Sequence, residues 1–252
     1  VVVTLHNIPS RHFLWFELFV KKMSKYYEFI NPFQINTEFL DINSKTKILL
    51  SFDDGFKSNR ILAENILATL GIRGLFFITE DFIGERKSTA FMNRTFYPNS
   101  PRKVLSQEET TPMSWDDLRW LVDNGHMIGA HTRSHPALSS IKNIEKLSSE
   151  IITSANRLEN LLNTKINCFA FPFGTIESID EDSLALAKTR FDYVFSNIRG
   201  CVADSPSREF IFRQNIVPGD LITLNRKIID GRLDWKYRQA RRQAGQLTSL
   251  KV

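Results

Sequence analysis

The strongest constraint on the fold of this 252-residue chain is an alternation of short apolar runs with amphipathic stretches of helical periodicity. Val1 to Leu5, Lys47 to Phe52 and Gly74 to Thr79 have the apolar composition of buried strands. Phe13 to Ile30 and Asn143 to Leu162 carry apolar residues at three- and four-residue steps, as helices packed on one face do. Strands that alternate with helices predict parallel βαβ units, closed or nearly closed into a barrel.

The same alternation continues toward the C-terminus. Further predicted elements are the strands His126–Ala130, Ile166–Phe171, Tyr193–Ser196 and Phe210–Ile216, and helices that start at Ser58, Ser114, Ser183 and Asp220. Residues 80–112 are polar with weak periodicity, which favours a functional or mobile segment. We therefore expect a barrel over residues 1–231 and a basic C-terminal tail or helix over residues 232–252.

Composition excludes several classes of protein. Hydrophobic residues make up 42% and charged residues 24%, as in ordinary globular chains, so a disordered protein, a collagen and a coiled coil are excluded. No apolar run approaches the roughly 18 residues that span a bilayer. The net charge of +5 is mild, and no aromatic–basic interleaving points to nucleic acid. The basic tail is expected to be a solvated helix, with a membrane or partner contact as the alternative.

Two cysteines, Cys168 and Cys201, allow one bridge or two thiols, and the apolar surroundings of Cys168 favour buried thiols. No signal-peptide pattern is visible, and the chain begins with Val rather than Met. The sequence therefore leaves the compartment, a removed targeting segment and the oligomeric state open.

Residues that carry chemistry follow four of the predicted strands directly. These are His6, the Asp53-Asp54-Gly55 run, the loop from His131 to His135, and the turn Pro172-Phe173-Gly174. In parallel α/β proteins, functional groups gather where the strands end at their carboxyl side. We therefore expect these residues to meet on one face.

The adjacent carboxylates Asp53 and Asp54 have two interpretations. An Asp-Gly pair is common in turns. However, two unpaired carboxylates at the end of a buried strand would cost several kcal/mol through desolvation and mutual repulsion, and a cation would relieve that cost. One carboxylate can then bind a metal while its neighbour acts as a base.

The histidines His131 and His135 are four residues apart, as in helical zinc proteases. Pro136 disfavours a helix there, and Thr132 stands where such proteases carry Glu, so we interpret the segment as a loop. Two ordinary surface histidines are the alternative. Together with one carboxylate, two imidazoles form a three-ligand set with open positions, which suits metal-assisted hydrolysis of an amide or ester.

These motifs resemble those of the NodB-homology polysaccharide deacetylases, carbohydrate esterase family 4. The first motif corresponds to Ser51-Phe52-Asp53-Asp54-Gly55 and the second to the segment from His131 to His135. The contexts Ser114 to Leu118 and Gly125 to Ala130 are similar, and Phe169 to Gly174 resembles the third motif. The resemblance extends from about His6 to Ile216.

The resemblance implies a distorted (β/α) barrel of about seven strands. It also implies that Asp54, His131 and His135 bind one divalent metal ion. Zinc fits this ligand set, and cobalt, nickel and iron fit nearly as well.

The implied reaction removes an N-acetyl group from an amino sugar in a polysaccharide or glycolipid. By motif, Asp53 corresponds to the catalytic base and the backbone N–H of Phe173 to the oxyanion donor. Pro172 and Gly174 complete the substrate-binding turn. The sequence identifies neither the sugar nor the acyl group.

The chain departs from the family pattern at several positions. Ala170 stands where the third motif carries an Arg that braces the base, and Arg213 resembles the substitute found in some branches. An ordinary sheet-edge Arg is the alternative for Arg213. No His follows His135 to serve as the usual general acid. His6 resembles the histidine of those same branches, where it is the acid or a group near the metal.

These departures motivate a second hypothesis, a catalytically inactive barrel that binds glycan. Phe96 and Tyr97, within residues 80–112, are candidates for a sugar-facing lid, and disorder of that segment is the alternative.

Overall fold

The structure, a computed structural model, describes residues 1–35, 47–98, 104–207 and 209–249. Its centre is a curled sheet in which every pairing between named strands is parallel. The strands are β1 (Val2–Leu5), β2 (Glu28–Phe29), β3 (Lys47–Phe52), β4 (Leu75–Ile78), β5 (Met127–Ala130), β6 (Cys168–Ala170), β7 (Tyr193–Phe195) and β8 (Gln214–Asn215). Their order is β7-β6-β5-β4-β3-β1-β8, and β2 pairs with the start of β3. The predicted distorted (β/α) barrel is confirmed.

Helices connect the strands and cover the outside of the sheet. They are Phe13–Met23, Lys57–Leu62 with a π-helical continuation Ala63–Leu67, Thr89–Thr95, Trp115–Asp123, Ile144–Ser148 continuing through the π turn Ser149–Thr153 into Ser154–Leu162, Glu181–Arg190, Ile222–Ile229 and Arg238–Ser249. Among the described residues, no helix is both long and apolar enough to cross a membrane.

The last segment of the sheet closes the barrel by bonding to both of its edges. The N–H of Ile211 donates to the carbonyl of Val194 in β7 at 2.7 Å. A few residues later, β8 pairs with β1, and the N–H of Ile216 donates to the Thr4 carbonyl at 2.9 Å. One strand segment thus joins the two ends of the curled sheet.

Apolar side chains fill both faces of the sheet, as expected for parallel strands covered by helices. Alternate strand residues such as Val3 and Phe52 pack against the helices, whereas Val2, Leu49 and Phe77 fill the barrel interior. Cys168 lies in that interior, and neither it nor the half-buried Cys201 forms a disulfide.

Several predicted element boundaries differ from the structure: the strand expected over Phe210–Ile216, for example, is Gln214–Asn215. The helix expected over Phe13 to Ile30 ends at Met23, because Glu28–Phe29 pairs with β3 and the Ile30 N–H bonds to the Ile48 carbonyl at 2.9 Å. The apolar residues that extended the helical pattern therefore serve the sheet.

Ser58 does not cap its helix, because the helix already starts at Lys57. Its hydroxyl instead donates to Asn7 Oδ1 at 2.7 Å and ties the helix to the loop after β1. By contrast, Ser114 caps its helix as expected and forms a reciprocal capping box with Asp117.

His126 is a buried structural histidine. Its Nδ1 accepts the Gly74 N–H at 3.1 Å, and its ring packs on Phe76 and Trp120. Burial, with the nearby charges of Arg73 and Arg60, lowers the pKa of His126 to about 4. The folded protein therefore keeps this imidazole neutral at mildly acidic pH.

This lowered pKa predicts an acid-dependent loss of stability. The unfolded chain, with a histidine pKa of about 6.5, binds more protons than the folded chain as the pH falls. The stability that neutral His126 contributes is therefore fully present above about pH 6.5 and declines below it. His126→Asn keeps an acceptor for the Gly74 N–H. When the pH is lowered from about 7.5 to 5, we expect the free energy of unfolding of this variant to fall by about 2 kcal/mol less than that of the wild type. Urea unfolding at both pH values measures the difference, and equal losses would contradict the assignment.

Candidate active site

The structure brings together all the residues that were predicted to carry chemistry. Asp53 and Asp54 follow the end of β3, His6 follows β1, and the loop from His131 to His135 follows β5. The turn Pro172-Phe173-Gly174 follows β6. These positions lie at the carboxyl ends of neighbouring strands, as expected for a parallel sheet.

Asp54, His131 and His135 form a compact buried group. Asp54 Oδ1 lies 3.5 Å from His131 Nε2 and 3.4 Å from His135 Nε2. One potential ligand atom from each residue lies within 4.8 Å of the others. Three donors at this mutual spacing can surround a single cation.

Hydrogen bonds on the far side of each ring orient the two imidazoles. His131 Nδ1 donates to the Ala170 carbonyl at 2.7 Å, and His135 Nδ1 donates to the Thr95 carbonyl at 3.1 Å. Since a carbonyl can only accept, these bonds place a proton on Nδ1 and leave the Nε2 lone pairs facing Asp54 in the neutral rings.

The donor chemistry of this group fits a divalent metal. Asp54 Oδ1 is buried and has no hydrogen-bond partner among the described residues. Burial acts to raise the pKa of Asp54, but the two imidazoles in their protonated form outweigh burial and hold the pKa below its usual range. A divalent cation between the neutral rings would supply the same positive charge. Burial also holds the pKa of His135 below its usual value. An ionised carboxylate and a neutral imidazole are the states that bind metals.

Asp53 has a different partner. Arg213 Nη1 and Nη2 each donate to one carboxylate oxygen of Asp53 at 2.8 Å, which makes a bidentate pair. The Arg213 side chain is fully buried, and its Nε donates to the Ser196 carbonyl at 2.7 Å. Burial would raise the pKa of Asp53, but Arg213, with His131 and His6, holds the pKa below its usual range. Arg213 is therefore not an ordinary sheet-edge residue.

His6 lies on the open side of the same carboxylate. Its Nε2 is 3.9 Å from Asp53 Oδ2, and its side chain is 41% exposed. His6 therefore faces both the base candidate and solvent.

The turn after β6 lies against the histidines. The Phe173 ring packs edge-on against His135 at 4.8 Å between centroids, and Gly174 N donates to the Pro172 carbonyl at 2.6 Å. A side chain at Gly174 would meet Asn197 N at 2.3 Å, so the close approach requires glycine. Over the described parts of the chain, the Phe173 N–H donates no hydrogen bond.

Left-handed backbone is concentrated at this site. Of the five non-glycine residues with positive φ in the described chain, four lie here: Asp54 (79°), Thr132 (64°), His135 (62°) and Phe173 (61°). Each such conformation costs on the order of 1–3 kcal/mol and persists only where its surroundings fix it.

Two supporting residues were missed by the sequence analysis. Glu150, on the helical stretch after β5, accepts the N–H groups of Arg133 and Ser134 at 3.1 and 2.8 Å and so holds the histidine loop. The other is Thr95, whose carbonyl accepts from His135 Nδ1 at 3.1 Å; the Phe96 ring next to it, already a lid candidate, packs on His135 at 4.8 Å. Glu150 looked like one exposed charge on an amphipathic helix, so no local pattern could identify it.

Residues 80–112 contribute to the site rather than forming a disordered loop, although 99–103 lie outside the described residues. The helix Thr89–Thr95 supplies the carbonyl that binds His135. Phe96 joins Phe56 and Phe82 in a separate aromatic cluster. Burial and the charges of Asp54 and Glu109 raise the pKa of Tyr97.

Comparison with known proteins identifies the family. The family model described as polysaccharide deacetylase matches residues 41–191. The chain belongs to the polysaccharide deacetylase family. A search of curated proteins finds no significant match.

Solved deacetylase structures share the fold of this family member. The Streptococcus pyogenes deacetylase PplD in complex with acetate is 15% identical, with 90% of this chain and 96% of that chain covered and a TM-score of 0.68. IcaB from Ammonifex degensii is 18% identical, with 97% and 96% covered and a TM-score of 0.69. The de-N-acetylase from Aggregatibacter actinomycetemcomitans is 14% identical, with 90% and 98% covered and a TM-score of 0.66.

The buried pair predicts a characteristic pattern of stability changes. Arg213→Met leaves Asp53 as an uncompensated buried charge, so we expect a loss of about 3–5 kcal/mol. Asp53→Asn/Arg213→Met removes both charges and should recover most of that loss. Arg190→Met breaks a more exposed pair with Glu159 and should cost about 1 kcal/mol or less. Urea unfolding of the four proteins measures these values. A double variant as unstable as Arg213→Met would contradict the charge argument.

Proposed function

We propose that this chain is a divalent-metal-dependent carbohydrate N-deacetylase, a hydrolase that cleaves the amide bond between an amino sugar and its acetyl group. The observation that carries this proposal is that the two adjacent buried carboxylates have different partners. Among the described residues, Asp54 Oδ1 has no hydrogen-bond partner and faces two imidazole nitrogens. The carboxylate of Asp53, the preceding residue, is paired with Arg213 and lies near His6 on its open side.

The metal would be held by Asp54, His131 and His135. Zinc suits one carboxylate and two imidazoles, and cobalt, nickel or iron would suit the same donors. When bound, such an ion polarises the substrate carbonyl and lowers the pKa of water toward 7.

The protein's own residues then divide the proton transfers. Asp53, kept ionised by Arg213, takes the proton of the attacking water. The Phe173 N–H stabilises the negative charge that develops on the carbonyl oxygen. His6 gives a proton to the departing amine, because it lies beside Asp53 and outside the three-residue metal group. The products are acetate and the free amino sugar.

The substrate is an N-acetylated amino sugar in a polysaccharide or glycolipid. The family description and two relatives, one in complex with acetate and one named a de-N-acetylase, support this class. Pro172 and Gly174 would border the reacting group. The contacts of Arg213 and His6 with Asp53 favour an active enzyme over an inactive glycan-binding barrel.

Acetate release from an N-acetylglucosamine oligomer, with metal content measured on the same sample, tests this proposal. We expect the metal-loaded wild type to release acetate and Asp53→Asn to retain the metal but lose about 10²–10⁴-fold in kcat. His131→Ala should lose both metal and activity. A well-folded wild type that holds metal but releases no acetate from N-acetylated sugars would support the inactive alternative.

His6 has a separate test, since two roles are open for it. If His6 is the proton donor, His6→Gln should lower kcat about 10²-fold or more while metal affinity stays within a few-fold of the wild type. Loss of metal affinity with nearly unchanged kcat at saturating metal would assign His6 to the metal's surroundings instead. Calorimetric metal titration and steady-state kinetics distinguish these outcomes.

A further inference from the structure

Two neighbouring helices, Phe13–Met23 and Ile222–Ile229, expose leucines and basic residues that the proposed reaction does not use. We propose that this surface docks on an anionic membrane. We call it the helix-pair surface and define it by Leu14, Leu18, Lys22, Lys25, Tyr26, Leu221, Leu224 and Arg226. The proposal concerns where the protein binds and does not depend on the hydrolytic chemistry.

The two helices lie side by side and run in the same direction. Near their starts, Trp15 Nε1 donates to the Asp220 carbonyl at 2.7 Å. Near their ends, the Tyr27 hydroxyl donates to the Asp230 carboxylate. Corresponding turns of the two helices are therefore at similar heights.

Apolar and basic residues are separated along the helix axes. The first helix exposes Leu14 and Leu18 in its first half and Lys22 and Lys25 at and just beyond its end, at the three- and four-residue steps of one face. On the second helix the order is the same but the spacing is shorter, since Leu221 precedes Arg226 by five residues and Leu224 precedes it by two. Eight residues from Leu14 to Lys22 correspond to about 12 Å of helix.

The leucine end of this surface lies at the catalytic edge of the barrel. The first helix follows β1 and His6, and the second follows β8, so both begin on the side where the strands end. The His12 ring lies against Gly219, so the segments that lead into the two helices contact each other. Val217, 54% exposed, extends the apolar rim.

The basic end forms a shallow groove between the helices. Lys22, Lys25, Tyr26 and Arg226 line it, and the Arg226 guanidinium stacks over the Tyr26 ring at 3.7 Å. The Asp230 carboxylate, 3.8 Å from Arg226 Nε, is a nearby acidic partner. The groove therefore presents an excess of positive charge.

Exposed apolar area and positive charge are both concentrated in this part of the chain. Among the described residues, nine of the twelve large exposed hydrophobic side chains belong to segments 13–33 and 217–249. Within the two helices and their flanks, residues 13–26 and 220–230, five Lys or Arg stand against three Asp or Glu.

This layered arrangement fits a membrane better than another copy of the chain. On the first helix, leucines that enter the interface with cations one to two helical turns behind them match the depth order of acyl chains and anionic headgroups. A second copy docked through the same leucines would leave the cations without an anionic partner, whereas anionic lipid headgroups supply one. In the proposed orientation, the catalytic edge faces the bilayer.

Co-sedimentation with lipid vesicles tests the proposal. We expect the wild-type protein to bind vesicles that contain about 30% phosphatidylglycerol in phosphatidylcholine, and to bind pure phosphatidylcholine far more weakly. Raising the salt from about 0.05 M to 0.5 M should weaken binding, since the attraction is screened.

Paired variants identify the surface. Lys22→Gln/Lys25→Gln should weaken vesicle binding about 25-fold, at about fivefold per lysine. Leu14→Ser/Leu18→Ser should also weaken it. The matched controls Lys146→Gln/Lys165→Gln and Ile144→Ser/Leu161→Ser change equally exposed residues elsewhere and should leave binding unchanged. Hydrolysis of a soluble substrate should be unaffected in every variant.

Three outcomes would overturn the proposal. The first is absence of binding to anionic vesicles at low salt. The second is an equal loss in the control variants, which would indicate nonspecific charge attraction. The third is a wild-type dimer, seen by sedimentation without lipid, that Leu14→Ser/Leu18→Ser dissociates, because the surface would then serve a second copy.

Discussion

The site depends on how two adjacent buried carboxylates are kept from repelling each other. Asp53 and Asp54 leave the end of β3 in different directions because Asp54 adopts a left-handed backbone conformation. Asp53 meets the fully buried guanidinium of Arg213, and Asp54 meets two imidazole nitrogens. The same low-dielectric surroundings that make an unpaired carboxylate costly strengthen its attraction to a cation.

The parallel fold makes this arrangement accessible from distant parts of the chain. β1, β3, β5 and β6 each contribute a residue or turn at their carboxyl ends, and the helices between them only need to return the chain to the start of the next strand. Residues outside the motifs then fix the details. Glu150 holds the histidine loop, and the Thr95 carbonyl fixes the proton position on His135.

Local sequence patterns predicted the parts that depend on local physics. Apolar runs indicated the strands, and the strand-end rule brought His6, the Asp pair and the His pair to one face. The end of the first helix was mispredicted because Phe29 and Ile30 are apolar to suit the sheet, and periodicity along one segment cannot distinguish that from a helical pattern. Glu150 binds backbone N–H groups about 16 residues away, and the backbone carbonyl of Thr95 binds a side chain 40 residues away. No pattern among neighbouring residues could therefore identify either of them.

The strand segment that completes the barrel also carries Arg213. Phe210, Ile211 and Phe212 in this segment are buried, and backbone bonds tie it to both β7 and β1. Disrupting this packing would remove the counter-charge from Asp53, while Asp54 and both histidines would keep their own contacts. Closure of the sheet and charge balance at its carboxyl edge therefore depend on the same short segment, so a substitution that loosens the closure would also disturb the buried carboxylate.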